Sequence, residues 1–317
     1  MTKYVVSGYI GFDNFGDEII ASILTSHLKE KGDVTVISSN LEKTARLYGV
    51  QTAGMLDFIK PILKSDVLVS GGGSLLQDVT SLKSLIYYLA IIMTAIVLGK
   101  KVVIFAQGFT PFRTKIGKFL TKFVLKHCDK ITVRDIGSQK LLQEMGIKSE
   151  LVSDPVFGIK IPTENEHKGV GVQLRSFSGL TDEFLKNLAQ EIEKRFPNEE
   201  VKLISLQDSL DVEVLKKFSS FGLKTKLYSG LTSDEIVKEI CNLEYLIGMR
   251  FHSSLVAAKA GVKVLGIDYD IKVKKLADDI GFPLIEIGQE NLSESFDKLI
   301  NLDTKSYHIP EFTFPMI

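Results

Sequence analysis

Short apolar runs that alternate with stretches of helical spacing constrain this chain more than any other feature. Tyr4–Val6, Val34–Ile37, Val67–Val69, Val102–Phe105 and Ile131–Val133 are each rich in β-branched or aromatic residues. Each is too short for a helix and too continuously apolar for a strand with one wet face. Between them, Glu18–Lys31 and Lys115–His127 repeat apolar residues at helical intervals. Strand, helix, strand at this rhythm predicts a parallel sheet covered by helices on both faces. A polar, proline-containing segment, Ile159–Lys168, interrupts the series after Asp154-Pro155. It then restarts with Gly169–Leu174, Val201–Ser205, Leu243–Ile247 and Val264–Ile267 as strands. Asp182–Arg195, Asp211–Phe221, Ser233–Asn242, His252–Ala260, Lys272–Ile280 and Ser293–Asn301 fit helices.

A chain of 317 residues exceeds what one hydrophobic core usually fills, so two domains are expected. The boundaries read as an N-terminal Rossmann-like lobe over 1–160 and a C-terminal one over 169–302. A tail over 303–317, with two prolines and two phenylalanines, is expected to pack on the first lobe. The fold class is therefore α/β, two Rossmann-like lobes whose parallel sheets face one another across a cleft. Ligands in such sheets collect at the carboxyl ends of the strands.

Charge excludes some functions. Lysine plus arginine equals aspartate plus glutamate, 39 each, which argues against bulk nucleic-acid binding. Two cysteines without a partner motif, Cys128 and Cys241, suggest neither a disulfide framework nor a zinc site. With no secretory signal pattern at the start, the expected location is the cytoplasm. Leu85–Leu98 is fourteen residues without a charge, short of the roughly 20 that span a bilayer, and reads as a buried helix. Lys115, Lys118, Lys122 and Lys126 recur at helical spacing, with Phe119, Leu120, Phe123 and Val124 on the other side. The expectation is a solvated basic face over a core face. The alternative is a basic amphipathic helix lying on an anionic membrane, which would put the protein at the membrane's inner face.

Three glycine- or arginine-bearing turns carry the candidate chemistry. Gly8 to Glu18 (GYIGFDNFGDE) follows the first strand; its glycines permit a tight turn, and Asp17 and Glu18 suit the positive end of a helix. Gly71-Gly72-Gly73-Ser74 follows the third apolar run and, opening a helix, can form a nest of backbone N–H groups for an anion. Gly248-Met249-Arg250-Phe251-His252-Ser253 closes an apolar strand and opens a helix. There a planar, permanently charged guanidinium and an imidazole that titrates near neutrality can meet one anion. Arg134, Arg175 and Lys272 stand at other strand ends, as do Gln107, Asp154, Asp208 and Asp268. His27, His127, His167 and His308 have no such setting. No histidine, cysteine or carboxylate cluster has metal-ligand spacing, so no metal is expected.

Taken in order from residue 4 to residue 274, GYIGFDNFGDE, VSGGGSLLQD, IFAQGFTP, TVRDIGS, SDPVF, GMRFHS and GIDYDIKV resemble the polysaccharide pyruvyl transferase family. The fold implied is that of the two-lobed GT-B glycosyltransferases. The resemblance implies an enzyme that moves pyruvate from phosphoenolpyruvate, its donor substrate, onto a sugar of a cell-wall or extracellular polysaccharide precursor. The product is a ketal, with release of phosphate and no separate cofactor. The family's Arg-x-His pair falls on Arg250 and His252, the latter as acid, base or phosphate ligand. The family's fifth-strand and second-lobe arginines fall on Arg134 and Arg175; together with Lys272, Gly11, Asn14, Asp17, Gly72, Gly73, Gln107 and Asp208, read from their places at turns and strand ends, they are the candidate substrate contacts. Asp13 and Phe15 stand where a glycine and a small or apolar residue are common. The implied acceptor is a lipid-linked disaccharide containing N-acetylmannosamine, with a different hexose as the alternative. Two rivals share the scaffold: a nucleotide-sugar glycosyltransferase and a non-catalytic polysaccharide-binding module. Arg250→Ala is expected to remove most activity while leaving the fold intact.

Overall fold

A computed structural model describes residues 1–79, 81–289 and 291–317. The chain forms two compact units, Met1–Ile159 with Glu311–Ile317, and Lys160–Pro310. In the first, strands β1 (Thr2–Ser7), β2 (Gly32–Ser38), β3 (Gln51–Gly54), β4 (Val67–Gly71), β5 (Lys101–Gln107), β6 (Lys130–Val133) and β7 (Glu150–Leu151) form one sheet. Its helices are α1 (Phe15–Lys29), α2 (Leu41–Tyr48), α3 (Ile59–Lys64), α4 (Leu82–Val97), α5 (Lys115–Leu125) and α6 (Ile136–Glu144). In the second, β8 (Val170–Gln173), β9 (Val201–Ile204), β10 (Thr225–Tyr228), β11 (Tyr245–Gly248), β12 (Lys263–Asp268) and β13 (Leu284–Glu286) form another. Its helices are α7 (Asp182–Arg195), α8 (Asp208–Ser219), α9 (Ser233–Cys241), α10 (Phe251–Lys259), α11 (Ile271–Ile280) and α12 (Ser293–Ile300).

Both sheets are parallel and share one logic of strand order. The first runs β3-β2-β1-β4-β5-β6-β7 and the second β10-β9-β8-β11-β12-β13. In each, the chain winds outward in one direction, returns to the middle, and winds outward in the other. The reversal falls between β1 and β4 in the first unit and between β8 and β11 in the second. At such a switch point the two following loops part in opposite directions and leave a crevice at the strands' carboxyl ends. The loops bearing the glycine motifs leave β1 and β4. Those bearing Arg175 and Arg250 leave β8 and β11.

Burial explains the central strands. Val5, Leu68, Val102 and Ile104 are sealed beneath Leu85, Leu89 and Ile92 of α4 in one continuous core. Each such side chain contributes roughly 1.5–3 kcal/mol relative to exposure. The second unit buries Val172, Leu203, Ile247 and Leu265 in the same manner. The edge strands β3, β7, β10 and β13 are absent from the apolar pattern. They are two to four residues long and mostly half-exposed or exposed, so no apolar run marks them.

The apolar stretch expected as a buried helix is α4, started by Ser81, whose hydroxyl accepts from Ser84 N at 3.4 Å; it is buried along one side only, since Ile86 and Val97 are exposed. Among the described residues no helix is long and apolar enough to cross a membrane. The tail divides. Tyr307 donates its hydroxyl proton to Val262 O, and residues up to Pro310 stay with the second unit. Phe312 and Phe314 pack on Phe105, and Phe314 stacks on His27 with ring centroids 3.7 Å apart, all in the first unit. One expectation is overturned at α5. Phe119 and Phe123 do not face the core, which is instead met by Thr121, Val124 and Leu125.

Candidate functional site

In the first unit the β1–α1 loop is fixed from within. Asn14 caps α1, its side-chain oxygen accepting from Gly16 N at 3.1 Å and Asp17 N at 3.4 Å. Glu18 reaches back to accept from Gly11 N at 2.7 Å and also accepts the Tyr48 hydroxyl of α2. Burial pushes the Glu18 carboxyl above its ordinary range, against these two hydrogen bonds. Gly11 has φ +85°, and a Cβ there would run into Ser38, Ser39 and the Asn40 backbone. Gly11 therefore serves the packing of this loop against the end of β2, with its N–H already engaged. Asp13 has φ +59°, which gives a physical reason for glycine to be common at that position. Its carboxylate pairs with Lys43 at 2.7 Å.

The β4 loop lies directly beside this one. Gly72 and Gly73 take left-handed backbone, φ +68° and +70°, and a Cβ on Gly73 would strike the Asp17 carboxylate. The loop does not open a helix, as the sequence suggests it would; α4 starts only at Leu82. Gly72 N donates to Phe105 O at 2.9 Å, and Gly73 O accepts from Gly108 N at 2.8 Å. The glycines thus clamp β4 to β5 and bring their loop close to Asp17.

Arg134, at the end of β6, closes the set. Its guanidinium donates to Asp154 at 2.8 Å and to Ser74 Oγ at 3.4 Å, and lies against Gly108. Asp154 is buried, so its charge is matched inside the protein rather than by water. Gln107 is fully buried, and neither atom of its amide has a hydrogen-bond partner among the described residues. It sits beside a bulge in the β5–β6 pairing, where Ala106 has φ +45° and donates its N–H to Thr132 Oγ1 at 2.7 Å. Asp78, within the GGGSLLQD motif, accepts from Arg113 N, Thr114 N and the Thr114 hydroxyl, and so fastens the start of α5. Burial opposes its charge, yet these three bonds outweigh it and hold the carboxyl below its ordinary value.

The second unit builds its centre from side chains. Arg250 is the N-cap of α10, but its side chain does not cap the helix. Its guanidinium instead donates to Asp211 Oδ1 at 2.6 Å. Asp211 comes from the first turn of α8 and has no exposed surface; its other oxygen accepts from Leu206 N at 2.9 Å and Gln207 N at 3.1 Å. Gln173, buried at the end of β8, accepts from Arg250 N at 2.8 Å through its amide oxygen and gives its amide N–H to Leu174 O at 2.9 Å. The backbone and the head of Arg250 are thus held separately. Its Nε, buried, has no hydrogen-bond partner among the described residues. That leaves part of a strong donor array uncommitted.

His252 follows two residues later in the first turn of α10, half-buried, its ring edge-on to Phe251 with centroids 5.0 Å apart. Ser253 donates its hydroxyl to Arg250 O at 2.8 Å and tightens the turn. Arg175 leaves β8, which pairs directly with β11, and is half-exposed, its N–H directed at Met249 Sδ at 3.4 Å. Lys272, exposed in the first turn of α11, follows β12, the next strand over. Arg175, Arg250, His252 and Lys272 therefore leave three neighbouring strands of one sheet. Arg134 belongs to the other unit. Asp208 is committed locally, one oxygen accepting Ser205 Oγ at 2.6 Å and the other Gly230 N at 2.8 Å.

The sequence does not single out Asp211, gives Gln173 no specific task, and marks Glu18 only as an acid suited to a helix start, not as the partner of Gly11. Asp211 reads as one acid among several on an amphipathic helix, 39 residues from its partner. The only available signal was an acid predicted at a helix start where that helix has no reason to be buried.

The polysaccharide pyruvyl transferase family profile matches residues 14–271. Among solved structures, the chain is similar to a UDP-GlcNAc 2-epimerase from Methanocaldococcus jannaschii, with TM-score 0.70 and 14% identity, covering 99% of this chain and 96% of that one. It is also similar to Anabaena HepE in complex with UDP and glucose, with TM-score 0.64 and 10% identity over 96% and 91%. A glycosyltransferase from Rickettsia africae gives TM-score 0.60 and 13% identity over 94% and 88%. At these identities the likeness is one of fold, the GT-B type.

Proposed function

The chain belongs to the polysaccharide pyruvyl transferase family, and from that premise we propose that it transfers pyruvate from phosphoenolpyruvate to a sugar of a polysaccharide precursor. Protonation of the donor's methylene carbon makes its second carbon electrophilic. One sugar hydroxyl attacks there, and a neighbouring hydroxyl displaces phosphate to close a cyclic ketal. No cofactor beyond the donor is needed.

The observation that carries this reading is Arg250, pinned by Asp211 and Gln173 at the switch point of the second sheet, two residues before His252. A donor bearing both a phosphate and a carboxylate needs fixed cations whose geometry does not have to reorganise during reaction. Arg250 meets that need because its guanidinium is already anchored, and Arg175 and Lys272 leave the adjacent strands. His252 is the side chain proposed to move the proton. In the first unit, Arg134 with Gly72, Gly73 and Asp17 is a second candidate substrate-binding set. Gly11, Asn14, Gln107 and Asp208 are proposed to shape these loops from behind, since each has its polar groups bound within the fold or its side chain buried.

Incubation with phosphoenolpyruvate and N-acetylmannosamine-containing disaccharide should release inorganic phosphate and yield a product heavier by one ketal-linked pyruvate by mass spectrometry. His252→Asn should abolish phosphate release while melting like the parent. A thermal shift with UDP-sugars but not with phosphoenolpyruvate, together with no phosphate release, would reject the assignment in favour of sugar transfer.

A further inference from the structure

We propose that helices α3, α4 and α5 form a docking face for an anionic lipid bilayer. On α5, Ile116, Phe119 and Phe123 are 62%, 66% and 49% exposed. Their spacing of three and four places them in one stripe along the helix. The opposite side, Gly117, Thr121, Val124 and Leu125, is the side that packs inward. Two phenylalanines and an isoleucine aligned in solvent are not a by-product of surface composition, because the helix already has a complete buried face.

The neighbouring helices expose apolar side chains as well. Helix α4 packs against both α5 and α3. It exposes Ile86 and Val97, while α3 exposes Ile59 and Leu63 and is preceded by the exposed Leu56. More than half of the exposed large apolar side chains of the described residues belong to these three packed helices or, as Leu56, to the segment just before α3. Exposed apolar side chains concentrated on packed helices of one unit mark an interaction surface.

Charge selects the occupant. The three helices contain no aspartate or glutamate, although the whole chain has as many acids as bases. They carry Lys60 and Lys64 on α3, Lys83 on α4, and Lys115, Lys118 and Lys122 on α5, with Lys126 as its C-cap. None of these lysines forms an ion pair among the described residues. An apolar stripe bordered by free ammonium groups matches an anionic bilayer. The rings enter the acyl boundary, and the lysine stems run along them to reach headgroup phosphates. A second copy of the chain would set lysine against lysine across a two-fold axis, a repulsion with nothing on this face to offset it.

The test needs no substrate, so it stands apart from the proposed reaction. The purified full chain is sedimented with vesicles of phosphatidylglycerol and phosphatidylcholine, and with vesicles of phosphatidylcholine alone. The expected result is at least about tenfold stronger binding to the anionic vesicles, weakening as salt rises. Phe119→Ser with Phe123→Ser, and separately Lys118→Glu with Lys122→Glu, should each cut that binding about tenfold or more. Because these side chains are at or near the surface, circular dichroism and melting should match the parent. Equal binding to both vesicle types, or variants that bind like the parent, would overturn the proposal. So would a dimer in solution that the phenylalanine variant converts to monomer, which would assign the face to a second copy.

Discussion

The two units secure an arginine at the mouth of a strand by the same device and surround it by different means. Arg134 is tied to buried Asp154, and Arg250 to buried Asp211, in each case with the guanidinium nearly enclosed. Around Arg134 the loops are shaped by backbone: left-handed glycines at 72 and 73 and the close approach of Gly108. Around Arg250 it is done by side chains, with Gln173 on its amide and Asp211 on its head. A site formed by backbone tolerates changes of side chain but not of Cβ. A site formed by a buried polar network tolerates neither the loss of a partner nor an unmatched charge.

Changes to the second unit's network should therefore have the largest effect. Asp211→Ala removes the carboxylate that joins α8, the β9 loop and Arg250; breaking such a pair costs about 3–5 kcal/mol. Arg250→Ala leaves Asp211 charged and buried, so it should also destabilise, contrary to the expectation of an intact fold. Arg250→Lys is the better activity probe, since it keeps the charge and loses the fork. Calorimetry of the full chain would show these losses, and an Asp211→Ala protein melting like the parent would break the comparison.

Gly73→Ala comes next. It forces a left-handed backbone on alanine and pushes against Asp17, for about 1–3 kcal/mol. Urea denaturation should show the loss, and Gly73→Ser should do no better, because the obstacle is the Cβ itself.

A smaller effect, visible mainly through pH, is expected at Glu18. Its carboxyl is raised by burial, so the folded chain holds that proton more tightly than the unfolded one. This contribution to stability is greatest below the ordinary glutamate range and declines as pH rises from there toward the raised value. Glu18→Gln should flatten that part of the stability profile; an unchanged slope would mean that another group carries it. The smallest effect is expected from Ser74→Ala, which removes a long bond to Arg134 and should cost about 0.5–1.5 kcal/mol. A greater loss would show that side chains matter in the first unit as they do in the second.

The contrast also accounts for what could be read beforehand. Gly11, Gly72 and Gly73 announce themselves, because glycines directly after an apolar strand have few other uses. Arg250 and His252 could be found for a similar reason: they are neighbours at a strand end. The lysines of α5 were visible too, but the direction of Phe119 and Phe123 was not. On that helix the apolar residues cover more than one side, and periodicity alone cannot say which side meets the sheet.

By itself the sequence determined the parallel sheets, the division near residue 160 and the turns that carry the candidate chemistry. Those features depend on contacts within a few residues, or on the bare requirement that an apolar strand be covered. Only the tertiary structure decided that Asp211 holds Arg250, that Asp154 holds Arg134, that Glu18 closes on Gly11 through a loop, and that a row of phenylalanines faces outward. Each of these is settled by which distant segments are brought side by side. A buried charge takes its partner from whatever the strand order places next to it, and the order of strands is not written in the spacing of residues.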